Sequence, residues 1–116
     1  MDSREQPERT TRTRRHQRYE LETELRAGIL GVESREMHGR SLNINEGGIA
    51  GVFATGWEVG TSVHLQFSVP VTTTPIRVRS VVRNCTGYRY GFEFADLTAE
   101  QRETISRACR TLGLLQ

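Results

Sequence analysis

The chain contains no lysine, and its apolar runs are short. None approaches the roughly 18–20 residues that a membrane-spanning helix needs, so we expect no membrane span. The first dozen residues are mostly polar or charged, and they do not resemble the apolar segment of a secretory signal peptide. From these two absences we expect a cytoplasmic protein.

Cysteine and histidine are also scarce. Cys85 and Cys109 show no C-x-x-C spacing and the three histidines are scattered along the chain, so we expect no metal centre. No Ser/His/Asp or Cys/His arrangement suggests nucleophilic catalysis, and the alternating Glu20, Glu22 and Glu24 fit a solvent-facing strand better than acid–base chemistry. The sequence therefore favours a binding module over an enzyme and predicts no resident cofactor.

The positive charge of the chain is carried entirely by arginine. There are 16 basic residues, yet 14 acidic ones leave a net charge of only +2, which is too small to indicate bulk nucleic-acid binding. Arginine suits bidentate recognition of phosphate and guanine, and it also stacks on flat rings. Codon usage in a GC-rich genome explains the excess equally well, so the interpretation depends on where the arginines lie.

The length of 116 residues is enough for one domain with a modest core. Residues 1–13 lack apolar periodicity and mix acids with bases, which predicts a disordered tail. From Tyr19 onwards, apolar and polar residues alternate with a period of two, which predicts a half-buried strand. We therefore expect a single folded domain over residues 14–116.

Further alternating segments indicate about six strands in all. They lie near residues 41–44, 49–53, 63–69, 76–83 and 89–94, with a polar loop over about residues 33–39. Short antiparallel strands at this spacing favour a small closed barrel or a sandwich, because closure removes exposed sheet edges. A capping box formed by Thr98 and Gln101 then begins a helix, which we expect to end at Gly113.

Two short polar segments stand out against this scaffold. The first holds Arg14, Arg15 and Arg18 before the first strand, and the second holds Asn43, Asn45, Gly47 and Gly48 in a predicted turn. Two arginines four residues apart are at most about 13 Å apart along an extended backbone, so both side chains can reach one ligand. Alone, the first segment is explained by a solvated basic arm and the second by an ordinary Asn-rich turn. Together they point to a planar anionic ligand such as a guanine nucleotide.

The spacing of these segments resembles the PilZ domain family. The family pattern is RxxxR followed by [D/N]xSxxG, and here Arg14-x-x-x-Arg18 precedes Asn43-x-Asn45-x-x-Gly48. The resemblance continues through Gly47-Gly48-Ile49 and Tyr90-Gly91-Phe92-Glu93-Phe94, over about residues 12–112. It implies an all-β fold, a six-stranded antiparallel split barrel with a C-terminal α-helix. It also implies a bacterial module that binds the second messenger cyclic di-GMP.

The resemblance also implies roles for individual residues. Arg14 and Arg18, with Arg15 adding contacts, would hold phosphates and guanines, while Asn43, Asn45, Gly47 and Gly48 would meet a guanine on the barrel surface. Asn45 stands where the family usually has serine, so we expect altered or weakened binding. Binding would order the arm before Tyr19, and the signal would pass to a partner protein in trans.

Two alternatives stay open. One is a PilZ-like adaptor that binds a protein and has weak or no affinity for cyclic di-GMP, which the departure at Asn45 favours. The other binds single-stranded nucleic acid through arginines of the later strands, namely Arg77, Arg79, Arg83 and Arg89. This second alternative is disfavoured because the aromatic residues nearby are expected in the core, where no base can stack on them.

Overall fold

The computed structural model describes residues 17–31 and 36–116, and this part of the chain forms seven strands and one helix. The strands are β1 (Tyr19–Glu20), β2 (Glu24–Ile29), β3 (Met37–Ile44), β4 (Gly48–Val52), β5 (Ser62–Phe67), β6 (Ile76–Thr86) and β7 (Arg89–Ala95), and the helix is α1 (Ala99–Leu115).

Six of these strands close into a barrel. Around the ring the order is β2, β3, β4, β7, β6, β5 and back to β2, and each of these pairings is antiparallel. The two-residue β1 pairs with the end of β3, past the residues of β3 that pair with β2. The predicted six-stranded antiparallel barrel with a C-terminal helix is therefore confirmed, and β1 is an additional strand.

The alternation of apolar residues places one face of each strand in the interior. In β5, Val63 and Leu65 are fully buried, whereas His64 between them is partly exposed. The helix α1 adds its own apolar stripe to this core, namely Ile105, Ala108, Cys109 and Leu112. Cys109 is 2% exposed and belongs to the core, and this burial, with a smaller contribution from the Glu46 carboxylate, raises the pKa of its thiol to about 11.

The segment predicted as the first strand is interrupted between β1 and β2. The Ser41 hydroxyl donates a hydrogen bond to the Leu21 carbonyl oxygen, and it accepts one from the Thr23 N–H at 3.0 Å. Two backbone bonds to β3 also hold the interruption, from Leu21 N–H to the Leu42 carbonyl oxygen and from Ser41 N–H to the Thr23 carbonyl oxygen. The chain therefore stays attached to β3 through the break.

The loop predicted over about residues 33–39 ends earlier than expected, because β3 already begins at Met37. Met37 pairs with Ala27, and Gly39 pairs with Leu25 of β2. Glycine and histidine are weak strand formers by themselves, and here the pairing with β2 overrides that preference.

The helix α1 begins as predicted but ends later. Thr98 accepts a hydrogen bond from the Gln101 N–H at 3.0 Å, and the Gln101 side chain accepts one from the Thr98 N–H at 3.1 Å. The predicted end at Gly113 is wrong, since the helix continues to Leu115. A Cβ atom on Gly113 would lie 3.1 Å from the Tyr19 ring, so this glycine lets β1 pack closely on the helix.

The end of the chain is attached to β1 by a side-chain amide. Gln116 accepts a hydrogen bond from the Glu20 N–H at 2.9 Å and donates one to the Glu20 carbonyl oxygen at 2.7 Å. Both backbone polar groups of Glu20 are thus satisfied by one side chain.

Within the described ranges, no helix is long and apolar enough to cross a membrane.

Candidate ligand-binding site

The turn between β3 and β4 is held in one conformation by hydrogen bonds. The Asn45 N–H donates to the Gly48 carbonyl oxygen at 2.9 Å, and the Gly47 N–H donates to the Asn45 side-chain oxygen at 2.7 Å. The Gly47 carbonyl oxygen accepts from the Phe94 N–H at 2.9 Å, which ties the turn to β7. An asparagine side chain that bonds the backbone two residues on is typical of such turns. Asn45 is therefore a structural part of the turn.

Gly48 has a packing reason to be glycine. Its pairing partner on β7 is Glu93, and a Cβ atom at Gly48 would overlap the Phe92 carbonyl oxygen. The missing side chain lets β4 begin directly against β7. The turn and the β7 backbone consequently lie side by side at this point of the barrel wall.

Two irregularities in the strand pairing lie on either side of this region. The register of β3 against β4 shifts between Ser41 and Asn43, and the register of β6 against β7 shifts between Val82 and Asn84. A bulge breaks the strict alternation of side chains and re-aims those next to it. As a result Arg83 and Asn84, which are consecutive, are both exposed.

A surface depression of about 350 Å³ lies between the two bulges. Across the sheet, Asn43 pairs with Ala50, Ala50 pairs with Gly91, and Gly91 pairs with Asn84. Two amide-bearing residues thus flank two residues with little or no side chain. The depression is lined by Arg18, Asn43, Asn45, Gly47, Gly48, Ile49, Ala50, Arg83, Asn84, Arg89, Tyr90, Gly91, Phe92 and Glu93.

Gly91 makes room for a side chain of the protein itself. A Cβ atom at this position would lie 2.6 Å from the side-chain oxygen of Asn84 and 2.7 Å from its nitrogen. The Asn84 amide therefore lies over the Gly91 backbone, within the depression. An amide offers both donors and acceptors, which suits the edge of a nucleobase.

The charged side chains that line the depression in the described residues are three arginines and one glutamate. Arg18 immediately precedes β1, and Arg83 and Arg89 come from the β6–β7 hairpin. The Arg83 Nε lies 2.5 Å from a carboxylate oxygen of Glu93. The local charge is therefore positive, with cations on two sides of the neutral amides. Such a surface is suited to an anion that also carries flat polar groups.

Comparison with known proteins identifies the family. A model of the PilZ domain matches residues 12–111. The chain belongs to the PilZ domain family. Among curated proteins, none matches the sequence.

Solved structures share the fold of this PilZ domain at low sequence identity. The inhibitor of motility MotI/DgrA of Bacillus subtilis has a TM-score of 0.72 at 19% identity over 87% of this chain, which spans 51% of that protein. The PilZ domain of YcgR from Escherichia coli, solved with c-di-GMP, has a TM-score of 0.71 at 10% identity, covering 87% of this chain and 92% of that one. The PilZ domain of CeSA from a cellulose-synthesizing bacterium has a TM-score of 0.65 at 14% identity, covering 86% and 99%.

The depression of this PilZ domain gathers most of the site residues that were predicted from the sequence. Arg18 and the predicted turn residues Asn43, Asn45, Gly47 and Gly48 all line it. Arg14 and Arg15, together with the predicted tail over residues 1–13, lie outside the described residues. Whether these residues bind a ligand stays a prediction.

Among the further lining residues that were not assigned to this site from the sequence are Arg83, Asn84, Arg89 and Glu93. Arg83 and Arg89 had been considered only as part of a nucleic-acid surface. A signal for them does exist, because the alternation of β6 ends at Val82 and is followed by the polar run Arg83-Asn84. A lapse of the period-two pattern inside a strand is what a bulge produces.

The four arginines of the nucleic-acid alternative do not form one surface. Arg77 and Arg79 line a different groove of about 440 Å³ together with His64 and Asp96, where Arg79 lies 3.4 Å from Asp96. Arg83 and Arg89 face the depression instead. Tyr90, Phe92 and Phe94 are buried in the core, as expected, and Tyr88 beside Arg89 is 65% exposed. Because the two pairs of arginines line different depressions, they do not form the continuous basic surface with aromatic residues that single-stranded nucleic acid requires.

Across residues 17–31 and 36–116, no group of three or more His, Cys, Asp or Glu side chains is placed to hold a metal ion.

Proposed function

We propose that this PilZ domain is a receptor for cyclic di-GMP, which binds in the depression between the β3–β4 turn and the β6–β7 hairpin. The observation that carries the proposal is the convergence of Arg18, Asn43 and the glycine turn on one concave surface. The relative from Escherichia coli that shares the fold was solved with c-di-GMP. The proposed activity is ligand binding and not catalysis.

The charge of the depression supports this ligand class. Cyclic di-GMP carries two phosphate charges and two guanine bases. The guanidinium groups of Arg18 and Arg89 line the depression, and such groups bind phosphate oxygens or the O6 and N7 atoms of guanine through paired hydrogen bonds. Both side chains are exposed, so an incoming ligand can reach them.

The neutral part of the depression suits a flat base. Asn43 and Asn84 offer amide donors and acceptors on either side of Ala50 and Gly91. The Asn84 amide itself lies over Gly91, so a ring that enters the depression meets this amide and not the Gly91 backbone. The amide edges then meet the polar edge of the base.

The proposal extends to the residues that precede Arg18. Arg14 and Arg15 lie within four residues of Arg18, so their Cα atoms are at most about 13 Å from that of Arg18, and the long arginine side chains can reach the same ligand. We assign them to the site together with Arg18, and we place the folded domain over residues 14–116. The proposed setting is the bacterial cytoplasm, and the proposed output is a partner protein in trans.

The adaptor alternative rests on one observation about Asn45. Its side-chain oxygen accepts the Gly47 N–H at 2.7 Å, where the family pattern has serine. An amide committed to the turn in this way is a poorer base contact, which favours a protein-binding adaptor with weak or no ligand affinity. The conservative change Asn45→Ser separates the two candidates, because a receptor weakened by this departure should gain affinity. A wild type and an N45S variant that both fail to bind would favour the adaptor.

Titration calorimetry with cyclic di-GMP tests the receptor proposal. We expect saturable binding by the wild type and a dissociation constant at least about tenfold higher for Arg18→Ala, because a charge-assisted hydrogen bond is lost. Arg79→Ala is the matched control, since it removes the same charge outside the depression and should leave the affinity unchanged. Absence of binding by the wild type at tens of micromolar ligand would contradict the proposal.

A further inference from the structure

We propose that Arg83 is a ligand-contacting residue which Glu93 holds by an ion pair in the free protein, so that Glu93 lowers the affinity of the site for an anion. The inference rests on the proposed function and concerns the same depression. It adds two residues that the RxxxR and NxNxxG motifs do not contain.

The geometry places the pair inside the site. The Arg83 Nε lies 2.5 Å from Glu93 Oε1, and both residues line the depression next to Gly48 and Asn84. Their side chains are 57% and 55% exposed, so neither is locked in place by packing. Arg83 continues the outward phase of Arg77 and Arg79 along β6, and it lies at the bulge between Val82 and Asn84. Arg83 is therefore positioned to reach a ligand, but in the free protein it is paired with Glu93.

Two electrostatic effects of Glu93 oppose an anionic ligand. Its carboxylate neutralises one of the three arginines that line the depression, and it also repels phosphate groups directly. An exposed ion pair is weak, because solvent screens it and because two long side chains must be ordered to form it. A ligand phosphate or guanine can consequently take Glu93's place as the partner of Arg83.

A second ion pair on the same strand provides an internal comparison. Arg79 of β6 lies 3.4 Å from Asp96, and these side chains are 55% and 74% exposed. Neither Arg79 nor Asp96 lines the depression. Asp96 has a φ of 55°, a backbone conformation that asparagine tolerates well. Asp96→Asn therefore removes one negative charge from an exposed Arg pair of β6 without touching the site.

The test compares Glu93→Gln with Asp96→Asn by titration calorimetry with cyclic di-GMP. Glu93→Gln should lower the dissociation constant about two- to fivefold, the range that corresponds to an exposed charge pair. Asp96→Asn, which changes the net charge equally, should leave it unchanged. Arg83→Ala should raise the dissociation constant at least about fivefold. Adding Glu93→Gln to Arg83→Ala should then bring a smaller gain than it does alone, because the arginine that it would release is absent.

The possible outcomes separate this inference from the proposed function. If the wild type binds and Glu93→Gln leaves the affinity unchanged or weakens it, the inference is overturned and the receptor proposal stands. An equal gain in Asp96→Asn would also overturn it, since the effect would then be one of net charge. If the wild type and all variants fail to bind, the receptor proposal fails and this inference fails with it.

Discussion

The two ends of β6 carry the same kinds of residue and form two different surfaces. Near its start, Arg77 and Arg79 alternate strictly with buried residues, and they share a groove with His64. Near its end, the bulge after Val82 exposes Arg83 and Asn84 together, beside the β3–β4 turn. The start of the strand is regular and faces a histidine and Asp96, whereas the end is irregular and faces amides, glycines and Glu93.

The comparison shows that an arginine acquires its role from its neighbours across the sheet. At the start of β6, Arg77 lies 3.4 Å from the imidazole of His64, and Arg79 lies 3.4 Å from Asp96. At the end, Asn84 pairs with Gly91 and lays its amide over that glycine, beside Arg83 and Arg89 in the depression. The following predictions compare the two ends, from the largest expected effect to the smallest.

Glycine substitutions should affect the two ends unequally. Gly48→Ala at the depression should lower the free energy of unfolding by about 2–3 kcal/mol, because the added Cβ overlaps the Phe92 carbonyl oxygen and must separate β4 from β7. Gly28→Ala at the other end meets the His64 imidazole at 2.9 Å. That side chain can move aside, so the change should cost less than about 1 kcal/mol. Urea unfolding of both variants measures the difference, and equal costs would contradict it.

Arginine substitutions should affect ligand affinity only at the end of β6. Arg89→Ala should raise the dissociation constant for cyclic di-GMP about tenfold, because one guanidinium contact to phosphate or guanine is lost. Arg77→Ala removes the same charge from the opposite groove and should leave the affinity unchanged. Calorimetry on the two variants tests this difference. Equal losses would mean that affinity follows overall charge and not the depression.

The smallest expected effect concerns the pKa of His64. Partial burial, together with the positive charge of Arg77, lowers this pKa below its ordinary value. The folded protein thus disfavours protonated His64, and stability should fall as the pH drops through the ordinary histidine pKa towards the lowered one. Arg77→Ala should raise the pKa and reduce that fall, as NMR titration of the imidazole would show. Arg83→Ala should leave the pKa where it is, and a shift there would contradict the separation of the two surfaces.

Much of the fold could be predicted from local patterns. The alternation in β5 and at the start of β6 indicates two-faced strands, and the Thr98–Gln101 capping box marks the beginning of α1. What could not be predicted depends on contacts between distant segments. Gly113 lies inside the helix, where it packs against Tyr19. The two residues are far apart in the sequence, so a local pattern does not predict this contact.

The candidate site was predictable in part for the same reason. Asn43, Asn45 and the two glycines lie in one short segment, so their spacing alone brings them together. The contribution of Arg83, Asn84, Arg89 and Glu93 depends on the register of β6 against β7 and on the bulge within it. A shift of one residue would turn these side chains to other faces, and sequence periodicity does not specify a register to that accuracy.

The amide of Gln116, which bonds both backbone groups of Glu20, has a practical consequence. Glu20 is two residues from Arg18, which lines the depression, so the Gln116 amide helps to hold the strand beside the candidate site. A substitution that removes this amide would release both backbone groups of Glu20, so affinity measurements are better made with Gln116 intact.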